Sequence, residues 1–135
     1  MDSVMARAQD RGKVRTLLGR LCRFHLWEPN QFGIHKPLPH DAALMEHGPG
    51  IRRAYTYKAL NRLIQGSAAD MTKKAMIDLH AEGILPHLQV HDELDISVQD
   101  KKEASKIKEI MESTVTLEVP NKVDYEEGDN WGSIK

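Results

Sequence analysis

A chain of 135 residues with 40% apolar and only 5% aromatic side chains has the length of one domain but a thin supply of core material, so some apolar faces are expected to wait for another chain. No apolar run approaches bilayer length, no N-terminal stretch resembles a signal sequence and Cys22 stands alone, which speaks against a spanning helix, a disulfide framework and a thiolate metal site. The formal net charge of -1 hides a division: residues 1–74 carry thirteen Lys and Arg against six Asp and Glu (+7), and residues 75–135 carry six against fourteen (-8), so the first part suits a polyanion such as a nucleic-acid backbone.

Residues 1–27 read as a helix remnant and a hairpin. The helix covers residues 2–11 and stops at Gly12; Val14, Thr16 and Leu18 then alternate with Lys13, Arg15 and Leu17 up to a turn at Gly19-Arg20, and the return runs from Leu21 to Trp27. Residues 28–50 read as loop, because Pro29, Gly33, Pro37, Pro39, Gly48, Pro49 and Gly50 punctuate them. His25, His35, His40 and His47 match no structural zinc spacing.

Residues 51–82 are expected to form one long helix ending at Gly83. Leu60, Leu63, Ile64, Ser67, Ala68, Met71, Ala75 and Leu79 recur at three and four residues as its buried stripe, while Tyr57, Asn61 and Gln65 lie four apart and share a neighbouring polar face. Amides at that spacing can meet the edges of bases and sugars, although most exposed helix amides do nothing of the kind. Gly66 costs about 1 kcal/mol inside a helix relative to Ala, which implies that something approaches its backbone closely.

Residues 85–98 read as a hairpin. Leu88 and Val90 precede, and Leu94, Ile96 and Val98 follow, a His91-Asp92-Glu93 trio, with a period of two on each side that suits strands with one buried face and a tip near His91-Asp92. Carboxylates on a stiff strand pair can hold a metal ion, and Asp is equally at home in turns for purely local reasons. In residues 100–135, Asp100 and Glu103 give a capping-box-like start, Ala104, Ile107, Ile110 and Met111 an amphipathic helix to about Ser113, and Val115–Val119 and Val123–Tyr125 are expected as strands. The sum is an α+β arrangement with helices on one side of a small antiparallel sheet.

Three blocks in this order resemble the C-terminal part of family A DNA polymerases. They are Arg15-Thr16-Leu17-Leu18-Gly19-Arg20, the run from Ala59 through Asn61, Gln65 and Gly66 to Asp70, and Leu88-Gln89-Val90-His91-Asp92-Glu93-Leu94, which matches the family's motif C; Gly128-Asp129-Asn130-Trp131 is similar to its terminal segment. The resemblance spans nearly the whole chain apart from the longer stretch between Glu28 and Gly50. It implies a partial polymerase palm of the phage type, with Asp92 a direct ligand of two catalytic Mg²⁺ ions and Glu93 beside them. Hard oxygen ligands suit Mg²⁺, and two ions about 4 Å apart can activate a primer 3′-hydroxyl and steady the pyrophosphate leaving group. By the same resemblance His91 contacts the primer end, and Asn61 and Gln65 meet primer-template DNA near the terminal base pair, Gln65 through the minor groove, with Arg62 and Arg53 as further DNA contacts. Tyr57 departs from the many bacterial members that carry Arg there.

The family's motif A aspartate and the fingers helix that grips the deoxynucleoside triphosphate lie upstream of the first block. The expectation is therefore a cytoplasmic chain, in a bacterium or phage-infected host, that is inactive alone and completes its palm on an upstream polymerase chain with motifs A and B. Two other readings stay open: a metal-dependent phosphohydrolase using the His40-Asp41 and His91-Asp92 doublets, and a non-catalytic DNA-binding or regulatory fragment.

Overall fold

The first helix, α1 (Asp2–Arg11), stops at Gly12, whose φ of +65° and N–H bond to the Ala8 carbonyl at 2.9 Å give the left-handed closure that glycine favours. The computed structural model describes residues 2–134 and divides into two units, Met1–Ser67 and Ala68–Lys135. In the first unit β1 (Lys13–Arg15) pairs antiparallel with β2 (Leu21–Arg23). A separate three-stranded sheet has β3 (Leu26–Pro29) at its centre, between β4 (Leu38–Pro39) and β5 (Ile51–Arg53). Ala8, Val14, Phe24 and Ala59 form a small core, with Val4, Cys22, Tyr55 and Leu63 packed against it.

Two expected boundaries shift. Residues 28–50 are not simply loop: they contain the end of β3, β4 and the helix α2 (His40–His47), and the Asn30 N–H bonds the Gly50 carbonyl at 2.8 Å to close their base. Only Ala43 of α2 is buried, so the segment carries no apolar period to reveal a helix. The long helix also starts later than Ile51. Ile51–Arg53 pairs with β3, placing Arg52 opposite Glu28 with Nε to Oε1 at 3.0 Å, and Tyr55 at φ +63° together with a 3-10 turn at Thr56–Lys58 separates that strand from α3 (Ala59–Ala81).

Helix α3 passes from the first unit into the second. Ala75 and Leu79 of the expected stripe are buried, but Ile64 is 60% exposed and Ala68 is exposed as well. The close approach expected at Gly66 is present: a Cβ there would stand 2.9 Å from Thr16 Cγ2. Two hydrogen bonds hold the β1–β2 turn at this point, from Leu17 N to Ser67 Oγ at 3.0 Å and from Arg20 Nη2 to the Gly66 carbonyl at 2.9 Å.

In the second unit α3 ends at Gly83, φ +76°, where Gly83 N bonds the His80 carbonyl at 3.0 Å. The hairpin strands are β6 (Leu88–Val90) and β7 (Glu93–Asp95), followed by α4 (Lys101–Ser113), whose N-cap Asp100 accepts from Glu103 N at 2.8 Å as expected. Asp78 on α3 bonds Thr114 Oγ1 at 2.5 Å and Lys74 Nζ at 2.7 Å, and Lys106 on α4 pairs with Glu82 at 2.8 Å. The strands expected at Val115–Val119 and Val123–Tyr125 do not form. Pro120 lies between them and supplies no ladder donor, and the segment is tied instead by Val123 N to Glu112 Oε1 at 2.9 Å and Asn121 Nδ2 to the Met111 carbonyl at 3.3 Å. Among the described residues no helix is long and apolar enough to cross a membrane.

Gly66→Ala is expected to lower the thermal midpoint despite the better helix propensity of Ala, and Thr16→Ser, which deletes the obstructing Cγ2 but keeps the hydroxyl, should restore much of it. Hydrogen bonds from Lys74 and then from Thr114 hold the Asp78 carboxyl below the ordinary carboxylate range. A depressed folded value contributes stability above the unfolded pKa, and that contribution disappears as the pH falls through the folded one. Asp78→Asn should therefore flatten the fall in stability below about pH 4 in an acid titration followed by circular dichroism.

Candidate active site

The register of the hairpin fixes everything presented at its tip. Leu88 pairs with Asp95, Gln89 with Leu94 and Val90 with Glu93, so the loop is the two residues His91 and Asp92. The tip falls where the alternation placed it. Directly opposed residues share a face, however, so Leu88 and Val90 stand with Asp95 and Glu93, and Leu94 stands with Gln89. The apolar residues of the two strands thus lie on opposite faces of the ribbon, and the single buried face expected from the pattern is absent. Leu88 is 47% and Val90 39% exposed, and Leu94 is half-buried.

His91 occupies the first loop position with φ +55°, a left-handed conformation that two-residue hairpin loops usually give to Gly, Asn or Asp. Gln89 braces it, its Nε2 donating to the His91 carbonyl at 2.9 Å, and the His87 N–H continues the ladder to the Asp95 carbonyl at 2.8 Å. His91, Asp92 and Glu93 are all exposed. Two neighbouring carboxylates at a solvent-facing tip have the donor chemistry for a hard divalent cation. Among the described residues, no group of three or more His, Cys, Asp or Glu gathers in a way that could hold a metal ion. Asp92 and Glu93 fit Mg²⁺ in kind, and further ligands would have to come from elsewhere.

The residues expected to contact DNA divide into two sorts. Asn61 and Gln65 project from α3 into solvent, as does Tyr57, which is 65% exposed in the turn before it. Arg53 is instead engaged within the first unit: its Nε donates to the Gln9 carbonyl and its Nη1 to the Phe24 carbonyl, both at 3.0 Å, and its guanidinium lies 4.5 Å from the centre of the Trp27 ring. Gly12 leaves room for that group, since a Cβ there would meet Arg53 Cζ at 2.6 Å. Arg62 is intermediate in character, packing over the Phe24 ring at 5.2 Å while remaining exposed.

The sequence assigns no role of their own to Gln89, the brace of the loop, and Asp70, which is buried on α3, although both stand in the blocks that carry the resemblance. Nothing in their immediate neighbours separates either from an ordinary polar position. Of the two His-Asp doublets, His40-Asp41 opens α2 with Nδ1 to Oδ1 at 3.3 Å and belongs to the first unit, whereas His91-Asp92 belongs to the second.

The family model for DNA polymerase family A matches residues 1–133. The DNA-directed DNA polymerase of Pseudomonas phage M6 is 40% identical over 127 residues, covering 94% of this chain and 16% of that protein. DNA polymerase I of Bacillus caldotenax is 37% identical over 145 aligned positions, covering 100% of this chain and 14% of the relative. Among solved structures, the POL domain of Pol1 from M. smegmatis, in complex with DNA primer-template and dNTP, aligns with TM-score 0.68 and 28% identity over 98% of this chain and 22% of that one. The chain therefore spans only about a sixth of the length of these curated relatives.

Replacing Arg53 with Gln removes two charge-assisted bonds and a ring contact, and is expected to cost about 2 kcal/mol in urea denaturation. Asn61→Ala and Gln65→Ala, on an exposed helix face, should stay within about 0.5 kcal/mol. His91→Val, a β-branched residue at φ +55°, should speed hydrogen exchange at the Val90 and Glu93 amides without unfolding α3.

Proposed function

Because the chain belongs to DNA polymerase family A, we propose that residues 1–135 are the C-terminal part of a polymerase palm and supply one share of a template-directed nucleotidyl-transfer site. The observation that carries this reading is the two-residue hairpin loop that presents Asp92, with Glu93 beside it, to solvent from a paired strand. In this role Asp92 and Glu93 hold Mg²⁺, and His91, fixed by its own backbone and by Gln89, faces the primer end. Bound Mg²⁺ supplies acidification of the primer 3′-hydroxyl and neutralisation of charge on the departing pyrophosphate.

Asn61 and Gln65 then serve as the exposed amides that test the terminal base pair. Minor-groove acceptors occur in every base pair, so such contacts sense pair shape without reading sequence. Arg62 can add a backbone contact from its exposed position. Arg53 acts indirectly: from β5 its guanidinium ties the end of α1 to the Phe24 carbonyl just beyond β2 and to Trp27 on β3, and so supports the elements that precede α3.

Two carboxylates with no third ligand gathered beside them among the described residues support the further proposal that the site is completed by an upstream polymerase segment carrying motifs A and B, which also grips the deoxynucleoside triphosphate. The chain alone is then inactive. The phosphohydrolase reading has no comparable support, since the family model that matches residues 1–133 is that of DNA polymerase family A.

Primer extension tests this with the chain alone, the upstream portion of the phage M6 polymerase alone, and the two mixed. Synthesis in the mixture only, abolished by Asp92→Ala and weakened by Gln65→Ala in a protein that keeps its thermal midpoint, is the expected result. Synthesis by the upstream portion alone would defeat it.

A further inference from the structure

The charge of the chain is divided between its two units. Residues 1–67 hold eleven Lys and Arg against five Asp and Glu (+6), and residues 68–135 hold eight against fifteen (-7). In the first unit part of the excess gathers at one place, an open cleft of about 190 Å³ between α1 and the β1–β2 hairpin, lined by Arg7, Arg11, Lys13 and Arg15 with Val4 and Leu63 among its apolar lining. Arg7 and Arg11 are four apart on α1 and share one side of it; Lys13 and Arg15 are two apart on β1 and share one strand face, opposite the buried Val14. Among the described residues no carboxylate lines the cleft, none of the four cations is ion-paired, and the one hydrogen bond from their side chains is Arg15 Nη1 to the Gly19 carbonyl at 2.7 Å.

The second unit concentrates the opposite charge on a short run. Asp124, Glu126, Glu127 and Asp129 place four carboxylates within six residues, all of them exposed and none ion-paired among the described residues. The run belongs to no helix or strand. Tyr125, 45% exposed, stands inside it and donates its hydroxyl to Glu127 Oε2 at 2.5 Å, and Trp131, 58% exposed, follows just beyond.

Four cations around one concavity repel one another, as do four carboxylates on one run, and both repulsions are relieved when the two meet. Guanidinium groups pair with carboxylates through parallel N–H donors and lie flat on aromatic rings, so an acidic run interleaved with Tyr125 and followed by Trp131 matches arginines over an apolar floor in kind. Every copy of the chain carries both halves, which is the condition for a head-to-tail contact between copies. We propose that the cleft of one copy receives the Asp124–Asp129 run of a second copy, so that the protein self-associates head to tail. The inference stands on charge and placement and does not depend on the polymerase reading.

The test is sedimentation velocity of the full chain, freed of nucleic acid, over a range of protein concentrations. Association that grows with concentration at about 10 mM salt, where charges are screened over about 30 Å, and vanishes at about 1 M, where the length is about 3 Å, is the expected result. Reversing Arg7, Arg11 and Lys13 to Glu, which keeps the Arg15 bond to Gly19, should weaken self-association by on the order of tenfold or more, and so should reversing Asp124, Glu126, Glu127 and Asp129 to Lys. The two reversals combined in one chain should regain it, because the complement is then restored with exchanged signs. Reversing the exposed Lys73, Lys101 and Lys102 instead changes the net charge as much as the cleft reversal does and should leave association in place. Where a reversed variant loses its fold by circular dichroism, exchange of the same residues for Gln or Asn carries the test. A chain that stays monomeric at low salt, association untouched by the cleft reversal, or equal loss in the Lys73, Lys101 and Lys102 variant overturns the proposal. So does a salt-sensitive compaction independent of protein concentration, which marks docking of the run within its own chain.

Discussion

Closing a strand pair with two residues is the constraint on which the candidate site depends. With His91 and Asp92 as the whole loop, every partner across the ribbon is determined, and Asp92 has no freedom to sit in a strand or beneath one. The same closure forces His91 into the left-handed region, where Gln89 meets its carbonyl. It also sends the apolar residues of the two strands to opposite faces. A longer loop would have allowed a one-sided ribbon and a looser carboxylate.

The first unit is organised by contacts that reach across the sequence. Arg53 collects carbonyls from α1 and from just beyond β2 while stacking on Trp27, and the β1–β2 turn sits against Gly66 because no side chain keeps Thr16 away. These contacts explain how a core of only Ala8, Val14, Phe24 and Ala59 suffices: the small apolar cluster is framed by directional bonds. The first two blocks of family resemblance are joined here in space, through Leu17, Arg20, Gly66 and Ser67.

Features governed by neighbours in sequence were legible from it. Gly12 and Gly83 ended helices, Asp100 capped one, and the alternation around His91-Asp92 placed a hairpin tip near those two residues. Features governed by distant partners were not. β5 is three residues long and exists because β3 lies beside it, and α2 lacks an apolar stripe. Val115–Val119 has strand-forming residues but no strand to pair with. Arg53 shows the limit of charge counting most directly: one more cation in a basic run, it spends its guanidinium on carbonyl oxygens that only the folded chain brings together.

The β6–β7 ribbon is a two-stranded sheet of three residues a side, with outer edges that no other strand among the described residues covers. Ribbons of that size are marginal by themselves and gain order when a third strand hydrogen-bonds along an edge. In the proposed role, ordering of the ribbon and cation binding at its acidic tip are thermodynamically linked: a strand that bound an edge and ordered the ribbon would raise the affinity of Asp92 and Glu93 for the cation, and the cation would raise the affinity for the strand by the same factor.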